Sequence, residues 1–294
     1  MTTLIVGCGY LGQRLGAILC RSGTRVIGTV RSPGRAEALA NQGIEPVIAD
    51  VLDRDSLERL PEADCVFYCV GFDRGAGRSM RAVYVDGLQN VLDRLSPLVT
   101  RLVYASSTGV FGQTGGEWVD ETSATCPLHE SGQVCLEAEG RIEAWGQARS
   151  PVVATVILRY AGLYGPGRIV RRAALERGEA ITGDPEKFLN MIHIDDAAGA
   201  ALAALRAPQA EPMYVVSDDR PVTRLEYYSR MASLVGAPVP RFQTPAPGSP
   251  ESARDATNKR ISNRRIKSGL ALRLIYPDIT TGLAACLDVP SRSE

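Results

Sequence analysis

The sequence predicts an α/β protein with a doubly wound parallel sheet and a smaller C-terminal lobe, and three observations carry that prediction. In the first half, short β-favouring runs alternate with stretches of helical periodicity. Four of those runs, RVIGTV, DCVFYCV, RLVYAS and VVATVIL, are almost continuously apolar, as strands covered on both faces are. The first run leads straight into glycines at 7, 9 and 12 and then into a helix-like segment, the order that opens a nucleotide-binding β–α unit.

Taken in order, strands are expected at about residues 3–7, 25–30, 45–49, 64–70, 100–105 and 152–158, with helices at 10–22, 34–41, 55–60, 78–95 and 132–148. After about residue 160 the rhythm changes. YGPGR is a loop, RIVRRAALERG (168–178) a helix, and RFQTPAPGSPESARDATN (241–258) a Pro/Ser-rich connection with little apolar periodicity. The expected division is a dinucleotide-binding domain over 1–160 and a less regular substrate-binding lobe over 161–294, partly interleaved with it.

Composition narrows the function classes. The chain has 294 residues, 45% hydrophobic and 22% charged, with a formal net charge of zero, which is unlike a polyanion binder. Neither nucleic acid nor a membrane is an expected partner, and a small molecule is. No basic n-region, long apolar run or spanning segment is evident, so a cytoplasmic location is expected. The cysteines at 8, 20, 65, 69, 126, 135 and 286 lack the spacing of a zinc ribbon, and several lie in apolar segments where a reduced thiol packs as a small hydrophobe; no metal is expected.

In TLIVGCGYLGQRLG (3–16), Gly7, Gly9 and Gly12 match G-x-G-x-x-G between a strand and a helix. The first glycine permits the tight turn, the second admits a pyrophosphate, and the third lets helix pack on strand. The helix start around Tyr10 and Leu11 offers free N–H groups and the positive end of the dipole. The plainer alternative is a glycine-rich turn with no ligand. Between Val26 and Ala36 no acidic residue is available for a ribose 2′-hydroxyl, and Arg31 and Arg35 flank Ser32. That set attracts a 2′-phosphate, so NADP(H) is expected ahead of NAD(H), unless the two arginines are solvated loop cations. Asp50, followed by Val51 after the third strand, either reaches the adenine amino group or caps the next helix.

Four further stretches, YASSTGVFG (104–112), LRYAGLYGPG (158–167), NMIHIDDAAGA (190–200) and ISNRRIKSGLALRLIYP (261–277), follow in an order that resembles the extended short-chain dehydrogenase/reductases, in their NAD-dependent epimerase/dehydratase branch. The resemblance implies a Rossmann fold. It puts Ser107 in place of the active-site Ser/Thr, Val70 and Gly71 along the cofactor ribose, and Tyr160 and Ala161 near the nicotinamide. His193 and Asp195 fall in a segment that supports the substrate lobe. It also implies a homodimer through the helices at 78–95 and 132–148, although the apolar stripe of MRAVYVDGLQNVLDRL fits packing on the sheet equally well.

The chain departs from the family at its chemistry. The family uses Tyr-x-x-x-Lys, one helical turn apart, with the lysine and the cofactor lowering the phenol pKa. The only lysines here are Lys187, Lys259 and Lys267, and no Tyr-x-x-x-Lys exists in the chain. Aligning Glu139 with the family's helix glutamate puts Ser131 and Cys135 at the two positions. Replacement acids would be Cys135, His129 just ahead of the helix, or Tyr164 in the LYGPG loop; packing or surface roles are the rival readings of the first two. Ser107 and Tyr164 are the residues expected to do chemistry. Arg168, Arg171 and Arg172 would meet an anionic substrate or remain solvated. Two functions stay open: an atypical oxidoreductase or epimerase acting on a carbonyl or secondary alcohol, a nucleotide-sugar among the candidates, or a non-catalytic NADP(H) sensor.

Overall fold

A computed structural model describes residues 1–287. The elements begin with β1 (Thr2–Val6), α1 (Tyr10–Arg21), β2 (Arg25–Val30), α2 (Pro33–Ala40), β3 (Glu45–Ile48), α3 (Arg54–Leu57), β4 (Cys65–Tyr68), α4 (Gly87–Leu92) and β5 (Arg101–Ser107). They continue through β6 (Glu117–Val119), α5 (Glu130–Gln147), β7 (Ala154–Tyr160), β8 (Gly162–Tyr164), α6 (Arg172–Glu176), β9 (Ile181–Thr182), β10 (Phe188–Leu189), β11 (Met191–His193), α7 (Ile194–Arg206) and β12 (Met213–Val216). Seven strands form one wholly parallel sheet in the order β12-β7-β5-β4-β1-β2-β3. Strand order reverses at β1, which opens a crevice beyond the carboxyl ends of β1 and β4, the place where such sheets take their ligands.

The period-two alternation of each strand builds two cores. Ile5, Phe67, Val103 and Val156 face one way and bury against Leu15 and Leu19 of α1 and Ala200, Ala201 and Ala204 of α7. Leu4, Val66, Leu102 and Ile157 face the other and bury against Leu88, Val91 and Leu92 of α4 and Ala138 and Ile142 of α5. The six strands expected from sequence lie within two residues of their expected positions. A seventh, β12, joins the sheet beside β7, and α7 covers it, so residues beyond 160 return to the sheet.

The helix expected at 78–95 is not uniform. A π-helical turn, Ala82–Asp86, leads into α4. It widens the helix by one residue ahead of the stripe Leu88, Val91 and Leu92 that packs on the sheet.

The lobe has its own small core of Tyr164, Leu175, Tyr227, Met231, Ile279 and Leu283. Its helix Arg224–Val235 starts where the Thr223 hydroxyl accepts the Glu226 N–H at 3.1 Å, and it stops at Gly236, whose φ of +67° ends the helix in a left-handed turn. Among the described residues, no helix is long and apolar enough to cross a membrane.

Candidate active site

The crevice holds a cavity of about 490 Å³, within the range of cofactor pockets. Its floor is the glycine turn. Gly7 has a φ of +83°, and a Cβ there would lie 2.6 Å from Val70 Cα, so the turn closes against β4's continuation only with glycine. Gly7 N–H donates to Thr29 Oγ1 at 2.9 Å and Cys8 N–H to Thr29 O at 2.8 Å, tying the turn to β2. A Cβ on Gly12 would fall 2.9 Å from Ile5 Cγ2, so that glycine serves helix–strand packing. Gly9 and Gly71 differ: a Cβ on Gly9 would meet only Gly7 O, at 3.9 Å, and one on Gly71 would meet nothing within 4 Å, while both residues line the cavity. Their bare Cα faces form a cradle that a side chain would fill. The first i→i−4 bond of α1 runs from Gln13 N–H to Gly9 O at 2.8 Å, which leaves the N–H groups of Tyr10, Leu11 and Gly12 as the helix-start donors.

Charge completes the fit to a phosphate-bearing ligand. Arg31, Arg35, Arg78 and Arg168 line the cavity against Asp50 and Asp73. Arg31 Nη2 donates to Asp73 Oδ2 at 3.0 Å, and the Gly75 N–H together with Arg31 holds the Asp73 carboxyl below its ordinary range. Asp50 accepts the Leu52 N–H at 2.9 Å, closing its own turn, whereas Asp53 is the residue that caps α3. The helix-capping alternative for Asp50 is thereby excluded, and its carboxylate stays at the cavity wall with Val51.

Several side chains expected at the cofactor lie elsewhere, although the backbone N–H groups of Tyr10 and Leu11 remain at the helix start. Ser32 is the exposed residue ahead of α2, and its side chain makes no cap bond. Leu11 is buried in the α1 core. Tyr10 lies under the Arg168 guanidinium, 5.4 Å from its ring centroid, and donates to Pro166 O at 3.2 Å. Tyr160 donates to Ala197 O at 3.1 Å and is buried, as is Ala161, so both belong to the α7 packing rather than to the cavity.

A second cavity of about 180 Å³ shares Val70 with the first and runs along the carboxyl end of β5 to the start of α5. Ser106, Ser107, Ser131 and Cys135 line it, with Tyr84 and Tyr104. Ser107 Oγ accepts the Gly109 N–H at 3.0 Å, so its own proton is left for a ligand oxygen. What sets the register of α5 is Glu139. This carboxylate is 3% exposed and takes Arg159, 6% exposed, in a fork of 3.0 and 2.7 Å, while Ser106 Oγ donates to it at 2.5 Å. Ser131 and Cys135 lie two turns and one turn before Glu139, on the face turned to the cavity. Gly132 lets that end of α5 approach: a Cβ there would be 2.4 Å from Gly109 O.

The structure disposes of the expected replacement acids. Cys135 is buried, and burial followed by the Glu139 charge pushes its thiol up to about 11, so it stays protonated at neutral pH. His129 is the residue immediately before α5 and lines neither cavity. Tyr164 is fully buried in the lobe core, where a Cβ on Gly282 would lie 1.9 Å from its oxygen; its hydroxyl has no partner among the described residues, and burial pushes its pKa far up. The LYGPG phenol is therefore a core residue, since the helix over Ile279–Leu287 covers it. His193 accepts the Asp195 N–H at 3.2 Å at the start of α7, and Asp195 pairs with Arg14 of α1, which is a structural arrangement. Of the three lobe arginines only Arg168 faces the cleft; Arg172 pairs with Glu176 at 2.8 Å. Tyr84 and Arg78 lie at the cavities without having been singled out from sequence. The one signal for Tyr84 was that it sits where the upstream part of the helix falls out of phase with the stripe at 88, 91 and 92.

Comparison with known proteins agrees with this geometry. Residues 3–217 match the model of the NAD dependent epimerase/dehydratase family. Protein YeeZ of Escherichia coli (strain K12) is 30% identical over 281 residues, covering 93% of this chain and 96% of YeeZ. Short-chain dehydrogenase/reductase family 42E member 1 of Homo sapiens is 29% identical over 278 residues, covering 81% of this chain and 68% of that protein. A functionally unknown conserved protein from Silicibacter pomeroyi superposes with a TM-score of 0.77 at 30% identity, covering 97% of this chain and 98% of the other. UDP-glucose 4-epimerase of Thermotoga maritima, solved with UDP-glucose, gives a TM-score of 0.82 at 20% identity and 98% coverage of each chain, a likeness of fold. The chain belongs to the NAD-dependent epimerase/dehydratase family of extended short-chain dehydrogenase/reductases.

Proposed function

We propose that the protein is an NADP(H)-dependent oxidoreductase that acts on a carbonyl compound or secondary alcohol in the serine-lined cavity. The observation that carries this reading is the junction at Val70, where an arginine-lined dinucleotide cradle meets a cavity with an unpaired serine donor. The dinucleotide would lie with its pyrophosphate on the N–H groups of Tyr10, Leu11 and Gly12, its adenosine end toward Asp50 and Val51, and its 2′-phosphate on Arg31 and Arg35. When bound, it supplies or accepts a hydride. Ser107 donates to the reacting oxygen, Ser131 offers a second hydroxyl, and Val70 and Met80 exclude water from the reacting carbon. A nucleotide-sugar is the substrate class suggested by the UDP-glucose named for the Thermotoga relative.

Calorimetric titration with NADP⁺, NADPH, NAD⁺ and NADH tests the reading. Binding with NADP(H) preferred is the expected result. No binding of any of the four overturns it. A second reading, a nucleotide-responsive regulator without turnover, is favoured by the protonated thiol at Cys135, where a lysine would have lowered a phenol pKa. It predicts that hydrogen exchange around α5 changes on nucleotide binding while no carbonyl substrate is turned over.

A further inference from the structure

Resting on the oxidoreductase reading, we infer that Tyr84 is the phenol that gives and takes the proton at the substrate oxygen, supplied from the helix before α4 instead of from α5. Among the described residues, Tyr84 and Tyr104 are the only tyrosines that line the serine cavity. They are not equivalent. Tyr104 is 3% exposed, fixed within β5 and packed on Tyr68 with ring centroids 5.7 Å apart. Tyr84 is half-buried and stands at the junction of the two cavities, its ring edge-on to Phe72 at 6.3 Å, and Phe72 itself lines the cofactor cavity.

The backbone aims this side chain. Tyr84 is the central residue of the π turn Ala82–Asp86. Each residue turns a helix by about 100°, so deleting the inserted one would swing Tyr84 off its present heading relative to the Leu88, Val91 and Leu92 stripe. A π turn is a costly departure from α geometry and recurs at functional sites.

The hydroxyl is also suitably wired. Phe72 N–H donates to Tyr84 Oη at 3.1 Å, which uses the oxygen as acceptor and leaves the phenol proton without an acceptor among the described residues. Burial raises the Tyr84 phenol above its ordinary range, so it rests protonated as an acid; the Phe72 N–H and, more weakly, the Arg168 guanidinium oppose that rise by favouring the phenolate. The other titratable groups near the phenol are Cys135 on α5, Tyr104 on β5 and Tyr68 on β4, and burial keeps all three protonated. In the reductive direction the carbonyl carbon takes the hydride from NADPH and the carbonyl oxygen takes the Tyr84 proton. The products are a secondary alcohol, NADP⁺ and a phenolate that regains its proton from water; oxidation runs in reverse.

The test is NMR of ring-labelled tyrosine across a pH titration, with the Tyr84 resonance assigned from Tyr84→Phe, alongside calorimetry with NADP⁺ on wild type and variant. Tyr84→Phe should bind NADP⁺ within about twofold of wild type, because the ring and its Phe72 contact remain. The Tyr84 titration midpoint should fall by about one unit, an approximately tenfold change in ionisation, when NADP⁺ brings its cationic ring to the junction. A midpoint that NADP⁺ leaves unmoved although calorimetry shows it bound, or a shift that appears at Tyr104 instead, overturns the role of Tyr84 and spares the oxidoreductase reading. If NADP⁺ does not bind wild type, both fall.

Discussion

The two cavities that meet at Val70 are assembled by opposite means. The cofactor cradle is local: Gly7, Gly9 and the start of α1 fall within one β–α unit, and the arginines are added around it. The serine cavity is collective, drawing on β5, α5 and the helix before α4, and it is held in register by the buried Glu139–Arg159 pair. A local motif survives substitution of its surroundings; a collective one depends on residues that touch no ligand. Damage to the two should therefore look different.

The largest effect is expected on the collective side. Glu139→Ala leaves the Arg159 guanidinium buried and unpaired and Ser106 without its acceptor, and should destabilise the fold by about 3–5 kcal/mol, read as a fall in denaturation midpoint. A change under about 1 kcal/mol would mean that α5 is registered by packing alone. Next, Tyr84→Phe should lower kcat about 10²–10³-fold on any carbonyl substrate the wild type reduces, with nucleotide affinity kept; equal loss in Tyr104→Phe would remove the distinction between the two phenols. On the local side, Gly7→Ala combines a left-handed φ with overlap on Val70, for an expected cost of about 2–4 kcal/mol and loss of nucleotide binding. Arg31→Ala is milder: about tenfold lower preference for NADPH over NADH, with NADH affinity unchanged. Smallest of all, as far as either cavity is concerned, is Asp218→Asn in the lobe, which should leave nucleotide binding intact. Burial raises Asp218 from 3.8 to about 8, so between those values the folded chain holds a proton that the unfolded chain has lost. Stability should accordingly decline as pH rises through that window, and the Asn variant should decline less.

The same contrast explains what could be read from the sequence. The sheet was legible because RVIGTV, DCVFYCV and RLVYAS carry their own burial signal, and the glycine turn because its spacing is the structure. MYVV at 213–216 was not, since four residues after a polar, Pro-containing stretch carry little periodicity, and its place depends on pairing with β7. Tyr164 looked free in a Gly/Pro loop because the helix that buries it, with Gly282 against its oxygen, lies far downstream. Tyr84 was hidden inside an apparently ordinary amphipathic helix; a π turn has no spacing of its own. Ser131 and Cys135 were placed correctly on one helix face by their distance from Glu139, and the structure adds why that glutamate fixes them.

Val70 acts as a party wall. Its backbone presses on Gly7 from one side, and its side chain borders the serines on the other. Anything that moves the glycine turn on loading one chamber must be felt in the next, and thermodynamic reciprocity then requires the reverse influence to be of the same size. A nucleotide in one cavity and a substrate in the other should thus report on each other's presence, and the order in which they arrive should matter to how fast the complex forms but not to how tightly it holds.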